Sequence, residues 1–270
     1  MPYKKFVLEN LRSAAKIASD NFEKVKSIEK GTDNNQVLTQ ADIDIGNLLV
    51  SQITKHFPDH NVIDEEAGII NRQSNFTWVV DPIDGTSNFA NGIPMYGIML
   101  GLLNKNIPVV GGVALPTFQE FYYAERGQGA YRNDRQIKVT DMNDLLKCLV
   151  VYALDGHQEN PELTHQESKL LADIVLNIRN LRSSNSCFDI MMVASGKYGA
   201  WLNRTSKIWD NVAPQVIIQE AGGVYTNFIG KPIDYSNPLN KSENNFTVCA
   251  SSPLLHRRLQ EIIQQHDFTD

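Results

Sequence analysis

Three separated stretches of this 270-residue chain carry carboxylates where chemistry could use them. In the first, Val62-Ile63-Asp64-Glu65-Glu66, a short apolar strand runs straight into acids. The second is Trp78-Val79-Val80-Asp81-Pro82-Ile83-Asp84-Gly85-Thr86-Ser87-Asn88-Phe89. The third is Ile208-Trp209-Asp210-Asn211-Val212-Ala213-Pro214, followed by Gln219-Glu220-Ala221-Gly222-Gly223. Carboxylates gathered at the ends of apolar strands repel one another and lose hydration, so either their pKa values rise or a cation neutralises them. No His or Cys occurs in these stretches, which argues against zinc, copper or iron. All-oxygen ligation by few carboxylates, completed by water and substrate oxygens, suits Mg2+. Two or more such ions sharing bridging carboxylates suit the hydrolysis of a phosphate ester.

The second stretch is the most specific. Trp78 to Val80 should be buried, so Asp81 emerges at the end of a strand beside the core. Pro82 fixes its own φ and pushes Asp81 toward extended geometry. Asp84 follows on a tight turn that can bring both carboxylates toward one point. Gly85 lets its backbone N–H approach an anion closely, Thr86 adds a hydroxyl, and a helix starting here would offer free N–H groups to a phosphate. Each stretch also has a bland reading: a turn for Asp-Pro-x-Asp-Gly, a solvated surface for Asp-Glu-Glu, an N-cap for the Trp209-Asp210 pair. Their conjunction, each against an apolar strand or turn, points to a metal site.

The elements that must position these groups can be read from periodicity. Phe6, Leu8, Leu11, Ala15, Ala18 and Phe22 predict an amphipathic helix over 5–28. A polar loop, Gly31 to Gln36, follows, and then a helix from Gln40 to His56 with Thr39 as N-cap and Phe57-Pro58 as stop. From Asn61 to Val151 short apolar runs separated by Gly, Asn and Pro predict a mainly antiparallel sheet. Beyond Tyr152 helices are expected at 161–179, 186–195, 211–221 and 253–266, with strands near 198–203 and 246–250. A subdomain boundary is placed near 145, dividing the chain into 1–145 and 146–270.

Composition narrows the function. Lys plus Arg number 25 against 31 Asp plus Glu, a net charge of −6, with no basic block. That disfavours nucleic-acid backbone binding and anionic membranes as the main business. The separated cysteines Cys148, Cys187 and Cys249 have neither metal-ligand nor disulfide-framework spacing. With no apolar signal core and no membrane-length apolar run, a cytoplasmic protein is expected.

With these residues in view, the chain resembles the inositol monophosphatase family of Mg2+-dependent, lithium-sensitive phosphatases. Trp78 to Phe89 looks like that family's signature. The likeness extends to Val37-Leu38-Thr39-Gln40-Ala41-Asp42, Gly112-Val113-Ala114-Leu115-Pro116, Ala124 to Tyr131 and Glu220-Ala221-Gly222-Gly223. The resemblance implies an α+β fold, a layered αβαβα sandwich of two intimately packed subdomains, usually as a homodimer. It implies Glu65, Asp81, the Ile83 carbonyl, Asp84 and Asp210 as ligands of two or three Mg2+ ions. It also implies Asp42 with Thr86 as the pair that activates water, and the Gly85 and Thr86 amides as phosphate holders. Glu66 is assigned a supporting place behind Glu65. Asp42 read without the resemblance is a helix-start carboxylate.

Substrate choice rests on residues away from the phosphate. Inositol-specific members commonly carry a Glu seven residues before the Asp of the Trp-Asp pair; here Asn203 stands there, able to hydrogen-bond a polyol but uncharged. Asp189 either touches substrate hydroxyls or caps a helix. Arg182, Arg204 and Lys207 either meet a second anionic group or are solvated, the latter being preferred. Ser87 stands where nucleotidase-like and histidinol-phosphatase-like relatives often carry a Lys, which favours a small polyol or sugar phosphate. The alternatives are a histidinol-phosphate phosphatase, a fructose-1,6-bisphosphatase or a 3'(2'),5'-bisphosphate nucleotidase. A non-catalytic role with transcription machinery is a further alternative.

Overall fold

A computed structural model describes residues 2–24, 28–29 and 37–266; the polar loop expected over Gly31–Gln36 lies outside them. Helix α1 (Lys4–Asn21) buries Val7, Leu8, Leu11, Ala14, Ala15 and Ala18 along one face. It stops short of the expected residue 28 because Phe22 leaves the helix, with ψ at 136°. The Phe22 ring meets those of Phe89 and Tyr96 at 5.7 and 5.2 Å between centroids, and Glu23 follows at φ 62°. A two-residue ladder, β1 (Ile28–Glu29) with β2 (Val37–Leu38), precedes α2 (Gln40–His56). The bounds of α2 are those expected from Thr39 and Phe57.

Then come β3 (Asn61–Asp64), β4 (Gly68–Ile70), β5 (Phe76–Asp84), the short α3 (Thr86–Ala90), β6 (Gly97–Asn104), β7 (Ile107–Leu115), β8 (Glu120–Glu125), β9 (Ala130–Arg132) and β10 (Arg135–Ile137). Their strands make one sheet in the order β10-β9-β8-β7-β6-β5-β3-β4. It is antiparallel throughout except where β3 runs parallel to β5. The remainder is β11 (Leu149–Ala153), α4 (Pro161–Leu176), β12 (Asn180–Arg182), α5 (Cys187–Ala194), β13 (Ala200–Ser206), α6 (Ile208–Glu220), β14 (Val224–Thr226), β15 (Phe246–Ser251) and α7 (Pro253–Ile263). The second sheet, β12-β11-β13-β15-β14, is parallel across β12, β11 and β13. Helix α6 begins three residues before the expected 211, because the Asp210 carboxylate closes its first turn.

Three apolar cores stack these elements into five layers. Residues of α1 and α2 pack with Trp78, Val80, Leu100 and Val110 on one face of the large sheet. Its other face, α5, α6 and the inner face of the small sheet share a second core that includes Met99, Val113, Met191, Val216 and Trp201. Leu170 and Ile174 of α4 and Leu255 and Leu259 of α7 cover the outer face of the small sheet over Val150 and Leu202. The order is therefore helices, sheet, helices, sheet, helices: an αβαβα sandwich of α+β class. No described helix is long and apolar enough to cross a membrane.

The middle layer sits unusually close to the large sheet. A Cβ on Gly101 would strike Val212, and one on Gly111 would strike the backbone of Ala213. Bare backbone at these two strand positions lets α6 descend onto the sheet, a close approach only glycine permits.

Candidate metal centre and active site

An ordinary strand would send residues 81 and 84 to opposite faces, since side chains alternate. In β5 they come to one place. Asp81 pairs with Met99 of β6 but Asp84 pairs with Gly97, so β5 carries one residue more than its partner between them. Pro82, which has no N–H to give the ladder, lies in that irregular step. Across the gap, Asp210 is the third residue of α6, and its Oδ2 accepts the Lys207 N–H at 2.6 Å. Oxygens of Asp81, Asp84 and Asp210 lie within 4.8 Å of one another. Asp84 also accepts the first N–H of α5, from Cys187.

The electrostatics of this trio are one-sided. Burial raises the pKa of Asp81, and Glu65, Asp84, Asp210 and Asp42 raise it further. Asp84 and Asp210 are raised by burial first, with the backbone N–H groups of Cys187 and Lys207 pulling partly back. Asp81 is 1 % exposed, and its Oδ1 has no hydrogen-bond partner among the described residues. A buried carboxylate oxygen facing two more carboxylates is a poor place for three negative charges and a good one for a divalent cation.

Glu65 joins from β3. Asp64, at the end of that strand, accepts the Glu66 and Ala67 N–H groups at 2.9 and 2.6 Å. This turn leaves Glu65 lining the cavity of about 670 Å3 that also holds Asp81, Ile83, Asp84 and Asp210. Glu65 stands within electrostatic reach of Asp81 and Asp84 but outside the tight trio. Glu66 is felt at Asp42, whose pKa it helps to raise.

The expected water-activating pair is in contact. Thr86 Oγ1 lies 2.7 Å from the Ile83 carbonyl and 3.3 Å from Asp42 Oδ1. Asp42 is the third residue of α2, and its Oδ2 accepts both the backbone N–H of Thr39 at 2.8 Å and its hydroxyl at 2.5 Å. The helix-start reading and the catalytic reading of Asp42 thus use different oxygens of one carboxylate. Burial raises its pKa to about 6 against these stabilising bonds. Gly85 has φ 81°, and a Cβ there would collide with Ser186; α3 then starts at Thr86.

The substrate-selecting residues are placed less simply. Asn203 lines a smaller cavity of about 160 Å3 behind the main one, bounded also by Asp84 and Asp210. Its Oδ1 is occupied by the Thr205 N–H at 2.7 Å. Asp189, 1 % exposed, accepts the Ser184 N–H at 2.6 Å and is not among the residues lining the main cavity. Of the basic residues, Arg204 faces Glu167 at 3.7 Å, Arg182 donates to the Leu181 carbonyl, and Lys207 Nζ donates to the Glu243 carbonyl at 2.5 Å. Solvation alone therefore describes none of the three.

Two acids lining the cavity were not singled out from sequence: Asp155 and Glu243. Asp155 did carry a signal, for it follows the C-terminal end of a parallel strand, where open α/β sheets place their ligands. Glu243 lies in a loop with no motif.

Comparison with known proteins identifies the family and the fold. The model of the inositol monophosphatase family matches residues 2–267. The chain is 34% identical over 256 residues to a fructose-1,6-bisphosphatase/inositol-1-monophosphatase of Aquifex aeolicus, covering 88% of this chain and 95% of that one. It is 30% identical over 249 residues to the Nus factor SuhB of Vibrio cholerae, covering 91% and 87%. Among solved structures, an IMPase of Thermotoga maritima superposes with a TM-score of 0.86 at 26% identity, covering 98% of each chain.

Proposed function

The chain belongs to the inositol monophosphatase family, and from that premise we propose that it is a Mg2+-dependent phosphomonoesterase acting on a small polyol or sugar phosphate. The observation that carries the reading is the trio of Asp81, Asp84 and Asp210, whose oxygens converge within 4.8 Å with only the charge of Lys207, felt at Asp210, to offset them among the described residues. The trio's donor set is all oxygen, and Asp81 Oδ1 lacks a partner among those residues, so the trio fits a hard divalent ion. Asp81, Asp84 and Asp210, with Glu65 and the Ile83 carbonyl, would hold it. When bound, such ions polarise phosphoryl oxygens and acidify water.

The chain's own groups do the rest. A water beside Thr86 Oγ1 gives its proton toward that hydroxyl as the hydroxyl turns its own from the Ile83 carbonyl to Asp42 Oδ1, 3.3 Å away. Thr86 is too weak an acid to act without that neighbour. With a pKa of about 6, Asp42 is ionised and able to accept at neutral pH. The Gly85 and Thr86 amides, at the start of α3, would bind the phosphate where no side chain blocks its approach.

The test is phosphate release from a panel of esters with and without Mg2+: polyol monophosphates, sugar bisphosphates, histidinol phosphate and nucleoside bisphosphates. Mg2+-dependent turnover is the expected result, and its absence on every ester rejects the reading.

A further inference from the structure

Asp155 takes no part in the steps above, yet it stands on the cavity wall. Ala153 of β11 pairs with Asn203 of β13, so two residues further on Asp155 and Thr205 come side by side. The Thr205 hydroxyl donates to Asp155 Oδ2 at 2.6 Å. That bond holds the carboxylate where it borders both the main cavity and the smaller one behind it, close enough for its charge to reach Asp210.

One cation borders this wall, and its charge reaches Asp210. Lys207 is the only basic residue among the described residues lining the main cavity, and its ammonium donates to the Glu243 carbonyl at 2.5 Å. Arg204, one strand position before Thr205, borders a separate pocket and faces the buried Glu167 at 3.7 Å. Beside Lys207, the cavity lining beyond the trio of Asp81, Asp84 and Asp210 offers carboxylates, hydroxyls and an amide: Asp155, Glu243, Ser183, Ser184 and Asn185.

We propose that Asp155 is a specificity-determining residue: its carboxylate accepts hydrogen bonds from the hydroxyls of a neutral polyol leaving group and repels a second phosphate. The inference rests on the phosphomonoesterase reading and deepens it, naming polyol monophosphates over sugar bisphosphates. An ionised carboxylate is acceptor-only and binds hydroxyls strongly. Against a phosphate dianion the same charge is repulsive in a partly desolvated cavity.

The experiment measures kcat/KM with Mg2+ for inositol 1-phosphate, fructose 1,6-bisphosphate and p-nitrophenyl phosphate, whose leaving group has no hydroxyl to offer. The proteins are the wild type, Asp155→Ala and Asp155→Asn. Wild type should favour inositol 1-phosphate over the bisphosphate by at least ~10-fold. In Asp155→Ala the ratio of inositol 1-phosphate to p-nitrophenyl phosphate should fall by at least ~10-fold. In Asp155→Asn, which keeps an acceptor oxygen and loses the charge, that ratio should fall less, by about 3-fold or under, while the relative rate on the bisphosphate rises. Each ratio is internal to one preparation, so partial loss of folded protein cancels. Wild-type turnover with unchanged ratios in Asp155→Ala, or a wild-type preference for the bisphosphate, overturns the inference alone. No turnover of any ester by the wild type overturns the phosphomonoesterase reading and the inference with it.

Discussion

Glu167, on α4, and Asp81, near the end of β5, are each 1 % exposed, yet their surroundings are opposite. Glu167 has the His157 ring at 3.5 Å and the Arg204 guanidinium at 3.7 Å. Burial raises its pKa and Asp155 adds a smaller push, while both neighbours pull it back. Around Asp81 every influence pushes the same way: burial, then Glu65, Asp84, Asp210 and Asp42 all disfavour the charge. A buried carboxylate costs several kcal/mol in solvation wherever it lies. At Glu167 the chain supplies the compensation itself, and the group is architectural. At Asp81 none of those influences supplies it, and the same cost suits the cation proposed for this site.

The largest expected effect lies on the uncompensated side. Asp84→Asn should lower phosphate release by at least ~10²-fold, because a proposed metal ligand loses its charge. Asn can still accept the Cys187 N–H, so the melting temperature without metal should not drop below that of the wild type, while the rise produced by Mg2+ should shrink. Near-wild-type turnover, or a metal-free protein that melts much earlier, would erase the distinction between the two sites. On the compensated side, Glu167→Ala removes the acid that faces Arg204 and His157 and should cost about 3 kcal/mol of stability, a fall of roughly 6–12 °C in Tm. Its dependence of turnover on Mg2+ concentration should stay as in the wild type. Thermal melts and a Mg2+ titration check both, and a shifted Mg2+ requirement would mean that Glu167 belongs to the reacting site.

The smallest effect comes from pH. Asp84 and Asp210 are raised in the folded state to about 7 and about 8, from 3.8. Groups raised on folding add stability in full below their unfolded pKa and lose it as pH climbs through the folded value. The metal-free protein should therefore lose stability progressively from about pH 4 to pH 8 on their account. The proposed Mg2+ would bind the ionised forms, so the gain in Tm from saturating Mg2+, worth about 2.7 kcal/mol at a hundred times its Kd, should be larger at pH 8 than at pH 5.5. An equal gain at both values would argue that these carboxylates are not what the ion binds.

Much of this was legible in the sequence where its cause is local. The bounds of α2 follow from Thr39 and from Phe57-Pro58, and the strand-to-turn character of Trp78 to Thr86 follows from apolar residues, one proline and one glycine. Asp42 was harder, for its capping bond to Thr39 is local while its contact with Thr86 is made by the fold. The overshoot of α1 has the same origin: Phe22 keeps the helical spacing but packs outside the helix against Tyr96, just before β6, and Phe89 of α3. The three-residue strands β12 and β14 are too short for an alternation to register. Arg204 was read as solvated, since its partner Glu167 sits on a different element and looks in sequence like one more polar helix residue.

The glycines under α6 have an effect at a distance. Asp210 rides on that helix while Asp81 and Asp84 belong to the sheet, so the width of the gap between them is calibrated by how deeply the helix seats at Gly101 and Gly111. A single methyl group added at Gly101 would wedge Val212 outward and carry Asp210 with it, loosening the grip on a small ion while every donor atom stayed in the chain. Any selectivity of the proposed ion site for ionic radius would in this sense be a property of the layer spacing, inherited by the acids rather than made by them.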